Sequence, residues 1–256
     1  MDIDISGSVQ KKQRSPTPQL QSFYDENSKY ELCIDEAGRG CLFGRVYIAC
    51  VVLPKEPHLF SGKDIKDSKK FSSKKKLREV ANYIKTNALY YYIAYMDENV
   101  IDKINILQAV MKGMHECIKQ SVSHLSASID DCIALIDGNY FTSYISYDTN
   151  KETLTEMRHI TIEQGDSKLM GIAAASILAK TARDDYVLEM CEQHPELIEK
   201  YGLDKNMGYG TKTHLDGIRQ HGITKWHRKT FGICKSFNSI QEEQIDESIY
   251  TSEDLK

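Results

Sequence analysis

The chain has no run of about eighteen apolar residues, so no transmembrane helix is expected. Met1 to Gln21 lacks the apolar stretch of a secretory leader. No two of the seven cysteines stand as C-x-x-C, which argues against a structural zinc site. Cys33, Cys41, Cys50, Cys117, Cys132, Cys191 and Cys234 are odd in number, and several fall in apolar runs. They read as reduced, buried thiols, and the protein as intracellular and cytoplasmic. There is one tryptophan, Trp226, for which a packing role is expected. Internal repeats and an obvious interdomain linker are also missing.

What is present is 256 residues with a 41% hydrophobic share, enough for a sizeable core. The net charge of −4 looks unsuited to nucleic acid, but it is unevenly spread. Residues 241–256 hold six acids and one lysine, which leaves +1 for everything before them. Lys63 to Arg78 carries eight basic residues and two aspartates. Lys225, His227, Arg228, Lys229 and Lys235 form a second basic cluster. Local patches decide polyanion binding more than the global sum does, although a lysine run alone is more often a solvated helix face.

Residues 1–27 are polar and read as a flexible tail, 28–237 as one catalytic domain, and 238–256 as a loose acidic tail. Strands are predicted at 30–35, 46–53, 89–95, 132–136 and 159–163. Helices are predicted at 73–87 with Ser72 as cap, 105–120, 167–191 and 211–220. The long helix has a small-residue face of Ile172, Ala175, Ser176, Ala179 and Ala182, suited to close packing on a sheet. This pattern implies an α/β fold with a mixed sheet.

Four carboxylates fall at element ends. Asp35 and Glu36 close the first strand, Asp137 closes a later one before Gly138, and Asp166 precedes the long helix. Oxygen-only ligands select hard cations such as Mg²⁺ or Mn²⁺. Two such ions can activate a water and stabilise the leaving oxygen of a phosphodiester. Neighbouring strand residues face opposite ways, so Asp35 and Glu36 share a site only if the strand breaks or Glu36 turns back. Read alone, Asp35-Glu36 fits a metal pair and a turn former equally, and Asp166 is better explained as a helix cap.

Asp35-Glu36-Ala37-Gly38-Arg39-Gly40 resembles the D-E-[AV]-G-R-G block of ribonuclease HII, the type 2 ribonuclease H family. Further blocks match in order: Asp67-Ser68-Lys69-Lys70, Asp137-Gly138-Asn139, Gly165-Asp166-Ser167 with Ala174-Ala175-Ser176-Ile177-Leu178-Ala179-Lys180, Gly208-Tyr209-Gly210-Thr211, and His227-Arg228-Lys229-Thr230-Phe231. The likeness spans about residues 30–235. It implies a ribonuclease H-like mixed sheet flanked by helices, with a small helical C-terminal part. It further implies an endoribonuclease that cuts the RNA strand of RNA–DNA hybrids and the 5′ side of ribonucleotides embedded in duplex DNA. Two divalent ions, Mg²⁺ or Mn²⁺, would serve it, leaving 3′-OH and 5′-phosphate ends.

Carried over residue by residue, Asp35, Glu36, Asp137 and Asp166 take the catalytic, metal-holding positions. Gly38, Arg39 and Gly40 take those of the turn that reads the ribose 2′-OH, the group that separates RNA from DNA. Tyr209 takes that of the tyrosine packed on the sugar at an RNA–DNA junction, and Lys69, Lys70 and Lys180 those of basic residues near the backbone. Arg183 and Asp184 are expected to be structural, as an ion pair or helix cap. Cys41 and Arg45 stand where the family commonly has proline, and Asn206-Met207 where it has His-Lys.

The alternative is a catalytically weak hybrid-binding protein on the same fold. His194, His214 and His221 lack metal-like spacing and read as surface or capping residues. Thr17, Leu20, Phe23 and Tyr24 have the spacing of a sliding-clamp peptide, with Thr17 in place of glutamine. Docking of Leu20 and Phe23 on the domain is the favoured reading of that segment. A monomer without membrane contact is expected.

Overall fold

The computed structural model describes residues 20–71, 73–148 and 152–237. Alternating apolar residues make β1 (Tyr30–Ala37), and the fully buried VYIACVV run makes β2 (Val46–Val52). The two pair antiparallel, with Asp35 opposite Ala49. Helix α1 (Lys74–Asn87) follows, then β3 (Tyr90–Met96), which extends the sheet antiparallel to β2. Ser73 caps α1 by accepting a bond from the Lys76 N–H, and the expected cap, Ser72, lies outside the described residues.

Helix α2 (Glu98–His124) starts well before the predicted 105–120. Asn105 interrupts it with φ 64°, and its side chain accepts from the Gln108 N–H at 3.1 Å. The sequence pattern therefore located the second half of a kinked helix and its internal cap. Strand β4 (Cys132–Asp137) lies parallel to β1, and β7 (Arg158–Ile162) parallel to β4. The sheet order is β3-β2-β1-β4-β7, the mixed sheet expected from the sequence. A separate hairpin, β5 (Ile145–Asp148) and β6 (Thr153–Glu156), was not foreseen.

Helix α3 (Met170–Gln193) covers one face of the sheet, where Ala173, Ala174 and Ile177 meet Ala49 and Val51. Helix α2 covers the other, with Val110, Met114 and Ile118 against Ile34, Ile48 and Ile136. A third apolar cluster joins Phe43 and Tyr186 to the short helices α4 (Glu196–Tyr201), α5 (Leu203–Asn206) and α6 (Lys212–His221). All seven cysteines are free thiols and buried, Cys41 included.

The stretch assigned to the N-terminal tail reaches Asn27, but residues 20–27 dock on the domain. Gln21 forms a parallel bridge to Leu169, and Leu20 packs on the cluster beneath α3. The Glu31 carboxylate accepts the backbone N–H groups of Tyr24 and Asp25 at 2.8 and 2.7 Å. The expected docking of Leu20 is therefore found, and the tail boundary moves back because the buried Glu31 carboxylate binds the polar backbone that follows.

Candidate active site

The parallel register aligns Ile34 with Ile136, so Asp35 and Asp137 follow one another on adjacent strand ends. Strand β1 does not break between Asp35 and Glu36; it runs to Ala37. Both carboxylates nevertheless feel the charge of Asp137. Glu36 donates its N–H to Asp35 Oδ1 at 2.7 Å, and its carboxylate accepts from Arg39 at 3.4 Å. The Asp137 carboxylate accepts the Gly165 N–H at 2.7 Å, which ties the turn carrying Asp166 to the sheet. Asp166 lies in the single turn of 3-10 helix before α3, with Lys69 Nζ 3.6 Å from its carboxylate.

Crowding of like charges in a dry place has a direct consequence. Burial, then the charges of Asp137 and Glu36, push the Asp35 carboxyl well above the usual carboxylate range. Burial raises Glu36 against the opposing pull of Arg39. Burial raises Asp137 too, opposed by the Gly165 N–H and reinforced by Asp166. For Lys69, burial works against the charge, but Asp166, Asp67 and Asp35 outweigh it and lift its pKa.

Ser176 is a residue whose part the sequence reading missed. On the small-residue face of α3 it lies beside Asp35, where its hydroxyl opposes the rise in that carboxyl's pKa and is 3.1 Å from the Ser68 hydroxyl. It thereby joins the Asp67-Ser68-Lys69-Lys70 segment to the strand end. The signal was a lone serine among alanines on a face that packs against a sheet. Lys70 pairs with Asp67 at 3.8 Å, and Lys180 with Asp184 at 3.0 Å.

After Ala37 the chain turns through Gly38-Arg39-Gly40. Gly38 has φ 90°, and a Cβ there would fall 2.0 Å from Arg183 Nε, so glycine is required on both counts. A Cβ on Gly40 would meet nothing within 4 Å. The turn is held from beneath by two buried arginines. Arg228 donates to the carbonyls of Gly44 at 2.8 Å and Arg39 at 3.0 Å. Arg183 donates to Met207 O at 2.7 Å and Phe43 O at 3.2 Å. Arg183 and Asp184 are thus structural but not paired with each other, since Asp184 is taken by Lys180. Tyr209 stands beside the turn with its ring half exposed and the Arg183 guanidinium 5.7 Å away. Burial, and then the neighbouring Cys41 thiol, raise the pKa of its phenol.

His214 is neither a surface nor a capping residue. It is fully buried against His227, because each ring finds its partners inside the C-terminal part. Trp226 does pack, between Phe43 and His194.

Acidic strand ends, a lysine beside them and a glycine turn backed by arginines define a ribonuclease H-like nuclease domain. The family model for ribonuclease HII matches residues 32–234. A ribonuclease HII of Parabacteroides distasonis is 44% identical over 215 residues, covering 82% of this chain and 94% of that protein. Among solved structures, the ribonuclease HII of Archaeoglobus fulgidus in its complex with PCNA covers 80% of this chain and 96% of its own, at 21% identity and TM-score 0.57. Bst ribonuclease HIII in complex with Mn²⁺ covers 85% of this chain and 72% of its own, at 18% identity and TM-score 0.60. The chain belongs to the ribonuclease HII family, endonucleases of the ribonuclease H class that hydrolyse RNA in RNA–DNA hybrids.

Proposed function

We propose that this enzyme cuts both the RNA strand of hybrids and the 5′ side of a ribonucleotide embedded in duplex DNA, leaving 3′-OH and 5′-phosphate ends. The observation that carries the reading is the convergence of Asp35, Glu36, Asp137 and Asp166 beside the Gly38-Arg39-Gly40 turn. Among the described residues no three acidic, histidine or cysteine side chains form a ready-made cage. A hydrated Mg²⁺ or Mn²⁺ does not need one, since it keeps several waters and takes one or two carboxylates. The all-oxygen donor set fits such an ion, and Asp35, Glu36, Asp137 and Asp166 are the residues that would hold it. When bound, the ions supply charge for water activation and for the departing oxygen.

The chain's own residues do the rest. Asp137, fixed by the Gly165 N–H, sets the position of Asp166 relative to the sheet. Lys69 keeps its charge next to Asp166 and is 80% exposed, so it meets the strand's phosphates. The open space over Gly40 lets the ribose approach the backbone of the turn, where a 2′-OH finds hydrogen-bond partners. Tyr209 offers its ring to the adjoining sugar. Lys70 and Lys180 are half-neutralised by Asp67 and Asp184 and serve as secondary backbone contacts.

Docking of Leu20 against the core and Lys55 over the Phe23 ring favour an internal role for that segment over a sliding-clamp contact. Thr17 lies outside the described residues.

The test is cleavage of three matched duplexes: all-DNA, one embedded ribonucleotide, and full hybrid, each with Mg²⁺, Mn²⁺ or EDTA. Cutting of the last two with either ion, and none with EDTA, is expected. Cutting of the hybrid alone would refute the junction reading.

A further inference from the structure

Tyr209 lies between α5 and α6, and its backbone carbonyl has two donors. One is the Thr211 N–H at 2.7 Å. The other is His214 Nδ1, at 3.0 Å. His214 Nε2 is 3.1 Å from His227 Nε2. His227 Nδ1 is in turn 2.9 Å from both the N–H and the hydroxyl of Thr224.

The proton positions follow by elimination. The Thr224 N–H can only donate, so His227 Nδ1 is bare and its proton sits on Nε2. That N–H points at His214 Nε2, which must accept. The His214 proton is then on Nδ1, where the Tyr209 carbonyl takes it. The chain of bonds runs one way, from Thr224 through two neutral rings to Tyr209. A second proton on either ring would set N–H against N–H or against the Thr224 N–H. Burial supports the same state: it holds His227 down to about 3 and His214 below its ordinary value. The surroundings are aromatic, with Tyr201 edge-on to both rings and Phe43 edge-on to His227.

The neighbour of His227 in sequence is Arg228, whose guanidinium holds the carbonyls of Arg39 and Gly44. Two consecutive residues therefore reach the two substrate-facing elements, one through a guanidinium and one through a relay of imidazoles. We propose that His214 and His227 are positioning residues for Tyr209, which fix its height relative to the Gly38-Arg39-Gly40 turn and so set discrimination in favour of a lone ribonucleotide. This rests on the reading of Tyr209 as the residue that packs on the sugar at the junction.

The experiment measures kcat and KM on the single-ribonucleotide duplex and on full hybrid for wild type, Tyr209→Ala, His214→Leu and His214→Asn. Asparagine keeps a donor where Nδ1 was, whereas leucine keeps only bulk. His214→Leu should lose about tenfold in kcat/KM on the single-ribonucleotide duplex, the scale of one hydrogen bond, and much less on hybrid. His214→Asn should recover most of that loss. Equal losses on both substrates, or no rescue by asparagine, would overturn the positioning role. If Tyr209→Ala shows no substrate preference, the reading of Tyr209 fails; if it does and His214→Leu does not, only the present inference fails. Nitrogen-proton NMR of the unmutated protein covers the case in which His214→Leu does not fold. It should show His214 protonated on Nδ1 and His227 on Nε2, and the opposite tautomers would refute the relay.

Discussion

Asp35 and Gly38 are three residues apart, yet the ground on either side of Ala37 is built from opposite electrostatics. Before it, buried carboxylates face one another, and each raises its neighbour's proton affinity. After it, buried guanidinium groups lie among carbonyl dipoles, Arg183 on Phe43 and Met207, and Arg228 on Gly44 and Arg39. The carboxylate side costs folding energy at neutral pH and gives it back when positive charge arrives. The arginine side is held by carbonyl dipoles rather than by a counter-ion, and it too carries a burial cost: Arg228 is pulled down to about 10, and Arg183 Nε and one Arg228 Nη have no hydrogen-bond partner. Chemistry and recognition are thus held by separate means, and substitutions should be able to damage either without the other.

The sharpest separation comes from Asp35→Asn. It keeps the shape and the acceptor for the Glu36 N–H but removes a charge from the cluster. Hybrid cleavage should fall by at least about 10³-fold, with binding to uncleaved hybrid within about threefold, as read by a gel-shift or anisotropy titration. Retained cleavage would dissolve the distinction between the two sides.

Next in size is a paired substitution in the turn. Gly38→Ala must strain a positive φ and displace Arg183, at a cost of about 2–4 kcal/mol measured by urea unfolding. Gly40→Ala meets open space and should cost less than about 0.5 kcal/mol while still lowering cleavage. Equal destabilisation by the two would mean that the arginine side is less rigid than its bonds imply.

The smallest effect concerns pH. Asp35 and Asp137 have raised pKa values when folded, so they favour folding below the ordinary carboxylate range, and this contribution is lost as pH rises through the raised values. Without divalent ions, Asp137→Asn should therefore melt a few degrees above the parent protein at pH 7, on the order of 1 kcal/mol. The gap should close as pH falls toward 4, and Mg²⁺ should stabilise the parent protein more than the variant. A variant that melts lower at pH 7 would contradict the assignment of electrostatic cost to this side.

Much of this architecture was legible in the chain because its signals are local. The apolar runs of β1 and β2, the glycines after Glu36 and the small face of α3 each report their own surroundings. The hairpin of β5 and β6 escaped because Ile145, Tyr147 and Leu154 point outward, so no buried alternation marks it. The pairing of His214 with His227 escaped for another reason. Each looks like an isolated polar residue until folding brings α6 against the segment after Gly222. The docking of Leu20 was expected, whereas the hold of Glu31 on the Tyr24 and Asp25 N–H groups was not, since sequence alone could not aim that carboxylate inward.

Helix α3 carries Ser176, which touches Asp35, and seven residues later Arg183, which supports the turn and Tyr209. Seven residues are about two helical turns, or roughly 10 Å of rise. On the proposed reading, α3 is a ruler: the step from the bond that is cut to the sugar that is inspected is ruled off along one rigid rod. One residue inserted between Ser176 and Arg183 would swing the second mark about 100° around the helix. The gauge tolerates changes of side chain on its outer face far better than any change in its length.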